Sequence, residues 1–191
     1  EGLVDPDQHK AVNEHYYQQY QQGQLDIDEY LSFALGPMAG MTPETLSALQ
    51  NKFLKKHVEP ILLDAAFDLL QAHRVNGDAL IIITATNTLV TQPIADRLGV
   101  EHLIGCEAEL KDGRYTGKPE GVPSFGEGKV RRIKTWCAEH QILFEDAVFY
   151  SDSHNDLPLL REVARAIAVD PDDLLRVEAQ QCGWEIISLR P

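Results

Sequence analysis

The sequence predicts an α/β chain in which a bundle of helices precedes a parallel sheet, and two observations carry that expectation. Up to about residue 59 helical signals stand without strand-like runs. From Pro60 onward short apolar runs alternate with helical segments, the pattern left by parallel strands joined through helical crossovers. Residues 1–59 are therefore expected as a helical unit and residues 60–191 as the sheet-bearing unit.

Asp5-Pro6-Asp7 opens the first helix, with proline in the first turn and acids at the positive end of the dipole. Val12, Tyr16, Tyr17 and Tyr20 follow at helical spacing, and Gly23 ends the segment. Residues 26–35 give a second helix closed by Gly36-Pro37, and Thr42 caps a third. Beyond Pro60, residues 61–73 read as an amphipathic helix, 79–84 as a fully buried strand and 89–98 as a helix ended by Gly99. Residues 102–106 form a short strand, and 107–118 a hairpin turning at Asp112-Gly113. Then come a helix at 129–140, a strand at 147–150, a short helix at 157–163, a strand at 166–169 and a last strand at 184–189.

Composition narrows the function. With 43% apolar and 25% charged residues the chain can bury a real core. A formal net charge of -13 repels polyanions, so nucleic acid and anionic membrane are not expected partners, although a local cation can still capture a small anionic substrate. The longest purely apolar stretch, 79–83, is far short of the roughly 20 residues that cross a bilayer, and no basic-plus-apolar leader opens the sequence. A soluble, cytoplasmic protein is expected. Cys106, Cys137 and Cys182 are odd in number and lack CxxC spacing, which points to three small buried apolar residues in a reducing compartment.

Three segments carry chemistry. In AVFYSDSHNDLPLL, residues 147–160, an apolar strand runs into two carboxylates, Asp152 and Asp156, with Asn155 between them. Ligands of an open parallel sheet sit beyond the carboxyl ends of its strands, so both acids would face a crevice where a hard cation such as magnesium takes oxygen ligands. Ser151, Asp152 and Ser153 read equally well as turn and helix-cap residues. The strand at 81–83 is followed by Thr84-Ala85-Thr86-Asn87, a small hydroxyl-rich turn where a Thr hydroxyl and backbone N–H groups suit phosphoryl oxygens; Thr at a helix start is also an ordinary N-cap. Lys129, in FGEGKVRRI, opens a helix after a glycine-containing loop and would offset phosphate charge, or simply be a surface lysine.

In this order the three segments resemble the second, third and fourth motifs of the haloacid dehalogenase superfamily, with DSHND the most specific of them. The resemblance spans almost the whole chain and is nearest to the subgroup of phosphoserine phosphatase. It implies a Rossmann-like core with an inserted helical-bundle cap, and a magnesium-dependent phosphomonoester hydrolase working through an aspartyl-phosphate. The implied roles are Asp152 as metal ligand, Asp156 as second carboxylate, and Thr84 and Lys129 as phosphoryl partners. Ala85, Asn87 and Asn155 would join the phosphate site, with Ser153 a lesser contributor. His154 is expected as a solvated loop residue and the early tyrosines as packing residues. The implied substrate is a small phosphorylated metabolite, such as phosphoserine or histidinol phosphate.

One departure accompanies the resemblance. No DxDxT or DxDxV occurs in these residues, and Asp5-Pro6-Asp7 lacks the preceding apolar strand. The family's first core strand, with its nucleophilic aspartate, is thus expected outside them; taken alone they should lack turnover and expose a slot in the sheet. The alternative is a non-catalytic phosphate- or metal-binding module of the same fold. A response-regulator-like receiver is disfavoured, because its acidic pair should follow an early strand and here cap-like helices come first.

Overall fold

Three capped helices open the computed structural model, which describes residues 4–191. Helix α1 (Pro6–Gln21) starts where Asp5 accepts the backbone N–H groups of Asp7 and Gln8 at 3.1 and 2.9 Å. Asp26 does the same for α2 (Ile27–Leu35), and Thr42 accepts the N–H of Thr45 ahead of α3 (Pro43–Phe53). Each cap satisfies donors that the first helical turn cannot.

These helices do not form a self-contained core. Leu31 and Leu35 of α2 and Leu46 of α3 are buried against Leu89 and Cys106, both from the sheet-bearing region, with Ala108 and Tyr115 packed alongside. The backbone joins in: the Gly40 N–H donates to the Tyr115 carbonyl at 2.8 Å and the Tyr115 N–H to that of Met41 at 2.9 Å.

Beyond α3 the chain alternates: α4 (Asp64–Asn76), β1 (Ile81–Asn87), α5 (Thr88–Leu98), β2 (His102–Lys111), β3 (Arg114–Glu120), α6 (Glu127–Glu139), β4 (Val148–Ser151), α7 (Leu157–Leu160), β5 (Arg165–Val169), α8 (Asp173–Cys182) and β6 (Glu185–Ile187). The strands make two three-stranded sheets, ordered β1-β2-β3 and β4-β5-β6. Strands β1 and β2 run parallel in register Ile81 with His102, β2 and β3 form an antiparallel hairpin, and β4, β5 and β6 are all parallel. Between β1 and β4 lies an apolar cavity of about 580 Å³, lined by Ile81, Ile82 and Ile83 on one side and Val148, Phe149 and Tyr150 on the other. Helices α6 and α7 pack nearby through Ile133, Cys137 and Leu159.

The structure corrects several boundaries. The strand expected as fully buried at 79–84 is β1, extends to Asn87 and is mostly half-buried, because its flank opens on that cavity. The helix expected from residue 61 starts at Asp64, since Pro60 sits in a 3-10 turn, Glu59–Ile61. Helix α8 was not anticipated, although Asp172 caps it and Gly183 closes it. All three cysteines are free, but only Cys106 and Cys137 are buried; Cys182 is exposed. No helix among the described residues is long and apolar enough to cross a membrane.

Leu31 is 0% exposed at the junction of α2 with the hairpin, so Leu31→Ala should cost about 3 kcal/mol in urea-unfolding free energy.

Candidate active site

The carboxyl ends of β1 and β4 and the first turn of α6 meet at one cavity of about 410 Å³. Thr84, Ala85 and Thr86 reach it from β1, Ser151, Asp152, Ser153 and Asp156 from β4 and the following loop, and Lys129 from α6. Thr84 and Thr86 lie in the last half of β1 and Ser151 ends β4, with Asp152 and Ser153 following at once, so the polar groups gather at the carboxyl ends of apolar strands, where ligands of a parallel sheet sit.

Lys129 is brought in by its glycines. Gly126 adopts φ 49 and ψ -127, a conformation only glycine holds without strain, and a Cβ at Gly128 would collide with the Pro123 carbonyl oxygen. The turn so formed buries Lys129, leaving it 5% exposed, and aims its Nζ at Asp156 Oδ1, 2.5 Å away. The other oxygen of Asp156 accepts from Ser151 Oγ at 2.7 Å, and Ser151 Oγ accepts from the Ser153 N–H at 3.1 Å. Asp156 is itself 8% exposed, so the pair is taken out of water and each charge depends on the other. Asp152, by contrast, is exposed at the cavity. Thr84 Oγ1 accepts from the Thr86 N–H at 3.1 Å, which tightens the end of β1.

Two residues expected at the phosphate are occupied elsewhere. Asn87 is buried and caps α5, accepting the Val90 N–H at 3.2 Å. Asn155 donates to the Tyr20 carbonyl at 3.0 Å, tying the end of α1 to the acidic loop. Tyr20 ties it again through a hydroxyl that donates to Ser153 Oγ at 2.7 Å. His154, expected as solvated, is not. Its backbone N–H and its Nδ1 both lie 2.8 Å from Asp172 Oδ2, and its Nε2 is buried. Asp172 also accepts the Leu175 N–H at 2.8 Å as cap of α8, and its own N–H donates to the Asp152 carbonyl at 2.9 Å. Sequence reading missed Asp172, although an acid just after the Asp170-Pro171 turn and ahead of an apolar run is an N-cap signal.

Much of the remaining lining is aromatic. Asn13, Tyr16, Tyr17 and Tyr20 from α1, and Ile27 and Tyr30 from α2, line the same cavity as the acids. The tyrosines expected to pack the bundle thus line this space.

Residues 4–161 match the haloacid dehalogenase-like hydrolase family. The chain belongs to that family. It is 39% identical over 193 residues to a histidinol-phosphatase of Neisseria meningitidis serogroup C (strain 8013), covering 99% of this chain and 87% of that one. A protein of unknown function from Bordetella pertussis Tohama I has a solved structure at 41% identity and TM-score 0.89, covering 97% of this chain and 85% of that one. A phospho-aspartyl intermediate analogue of phosphoserine phosphatase shares the fold at TM-score 0.67 and 16% identity, over 96% of this chain and 80% of that one. The chain spans about half the length of the mycobacterial relatives that it also matches. These likenesses agree with the phosphatase of this superfamily, and with the Rossmann-like core, expected from the sequence.

Burial pushes the Asp172 carboxyl upward, but the N–H groups of Leu175 and His154 outweigh it and hold the carboxyl below its ordinary value. A depressed acid stabilises the fold above its unfolded pKa of about 4, and that stability is lost as pH falls through the lower folded value. Asp172→Ala should therefore be less stable than the parent at pH 7, with the difference in urea midpoint narrowing as pH drops below about 4.

Proposed function

We propose that the protein is a magnesium-dependent phosphomonoester hydrolase working through an aspartyl-phosphate, with a small phosphorylated metabolite as substrate. The observation that carries this reading is the convergence on one cavity of an exposed carboxylate, a buried lysine and a hydroxyl-rich strand end. Family membership and the relatives' names support it.

The donor set suits magnesium. That ion is held by one or two carboxylates together with phosphate and water rather than by an all-protein cage. Asp152 supplies one exposed carboxylate and Asp156 a second nearby, and no cluster of three acids, histidines or cysteines occurs among the described residues. When bound, the ion would neutralise phosphoryl charge.

The chain's own groups do the rest. Thr84 Oγ1 and the backbone N–H groups at the end of β1 hydrogen-bond phosphoryl oxygens. Lys129, fixed by its ion pair with Asp156, stabilises the charge that develops as the ester bond breaks. Ser151 holds Asp156 so that the lysine's aim does not wander. Asn155 and Tyr20 close the helices of residues 1–59 over the site as a lid. The nucleophilic aspartate is proposed to arrive on a strand lying between β1 and β4. Ile83 and Tyr150 line both the apolar slot and the polar cavity, so a strand in the slot would end at the phosphoryl position. That aspartate would displace the alcohol and form the aspartyl-phosphate, which water then hydrolyses.

The test is phosphate release from a panel of phosphomonoesters, using the chain joined to an apolar strand ending in Asp-x-Asp. Turnover should require magnesium, and Asp152→Ala should lower kcat/KM at least about a hundredfold. Folded protein that releases phosphate from no ester would instead support a binding module.

A further inference from the structure

The histidine between the two acids is committed away from the cavity. His154 is not among the residues that line it. Its Nδ1 faces Asp172 Oδ2 at 2.8 Å, and its Nε2 is buried with no hydrogen-bond partner. The end of α1 passes over the ring, since a Cβ at Gly23 would stand 3.7 Å from that Nε2. A carboxylate only accepts, so Asp172 selects the tautomer with its proton on Nδ1. With one nitrogen spent on Asp172 and the other shut off from the cavity, His154 has no route for passing a proton to an ester.

Its contacts form a closed circuit instead. Asp172 Oδ2 accepts both the backbone N–H and the Nδ1–H of His154, each at 2.8 Å, and the Asp172 N–H donates to the Asp152 carbonyl at 2.9 Å. The peptides on either side of Ser153 are thus held by one residue from the segment after β5. Ser153 is buried inside the circuit, with its N–H on Ser151 Oγ at 3.1 Å and its own Oγ receiving the Tyr20 hydroxyl at 2.7 Å. Asp172 is fixed in turn, because its other oxygen accepts the Leu175 N–H at 2.8 Å as cap of α8. The result is an exposed carboxylate, Asp152, on a backbone with little freedom left. A ligand held in this way loses less conformational entropy when it takes a cation.

We propose that His154 is a positioning residue for the cation site: through Asp172 it fixes the backbone that presents Asp152, and so sets the affinity for the divalent ion without touching ion or substrate. The inference rests on the reading of Asp152 as the magnesium ligand, and its test needs no turnover.

The probe is Mn2+, which shares magnesium's preference for oxygen ligands. It is titrated into the 15N-labelled chain, and paramagnetic broadening of the amide signals of residues 84–86 and 151–153 reports binding at this site rather than at other surface acids. Asp152→Ala should abolish the saturable broadening. His154→Phe keeps the bulk of the ring and removes the Nδ1 donor, so it should weaken Mn2+ about tenfold. His154→Asn, whose amide nitrogen can stand at the Nδ1 position, should recover to within about threefold of the parent. Asp172→Asn keeps an acceptor for the Leu175 N–H but turns an amide that cannot accept toward His154; it should lose the same factor as His154→Phe, and the two together should lose no more. A histidine that only fills space gives another pattern. Parent-like Mn2+ affinity in His154→Phe whatever its urea midpoint, no recovery in His154→Asn, or losses that add between His154→Phe and Asp172→Asn would each overturn the proposal. Failure of the magnesium reading would look different, as broadening that the parent lacks or that Asp152→Ala leaves unchanged, and it would overturn both.

Discussion

The ion pair between Lys129 and Asp156 is the contact on which the rest of the site depends. It joins the first turn of α6 to the loop after β4, two segments 27 residues apart in sequence, at 2.5 Å in a largely buried setting. A buried pair of this kind stabilises little by itself, because the desolvation of both ions offsets most of their attraction. Its effect is positional. Removing either partner leaves a charge without water or counter-charge, so the loop and the helix are held in the one arrangement that keeps both satisfied. Ser151 completes the set by taking the second oxygen of Asp156.

Everything around this pair fixes one of its sides. Gly126 and Gly128 allow the tight approach that starts α6 at the cavity, and Arg132 on the next turn of that helix donates to the Gly105 carbonyl and to Glu107, anchoring α6 to β2. On the other side Asp172 takes the backbone of His154 and returns an N–H to Asp152, so the end of β5 braces the loop that β4 delivers. From above, Tyr20 and Asn155 lock the end of α1 to that same loop. The end of α1 is thereby tied to the loop that carries the acids through two named hydrogen bonds.

Much of this was legible in the sequence, because apolar runs that stop at small or polar residues mark where strands meet a crevice. The runs ending at Thr84 and Ser151 and the glycines before Lys129 led to the three segments that the fold brings together at one cavity. What could not be read depends on which partner a polar side chain finds. Asn87 and Asn155 have the right chemistry for phosphate, yet a helix N-terminus claims one and the Tyr20 carbonyl the other. His154 looks like a loop residue until Asp172, 18 residues away, is placed beside it. Tyr16 and Tyr20 have helical spacing, which says that they share a face but not whether that face meets core or cavity. The cavity between β1 and β4 is likewise a tertiary fact, since edge strands and central strands can carry the same apolar residues.

The most direct measurement is a double-mutant cycle on the pair, with Lys129→Met and Asp156→Asn made singly and together and unfolding followed in urea. Each single substitution should cost about 3–5 kcal/mol, and the double substitution clearly less than their sum, because the second change removes the charge that the first left stranded. Additive losses would contradict the account: they would mean that Lys129 and Asp156 act independently and that the site is held by something other than their contact.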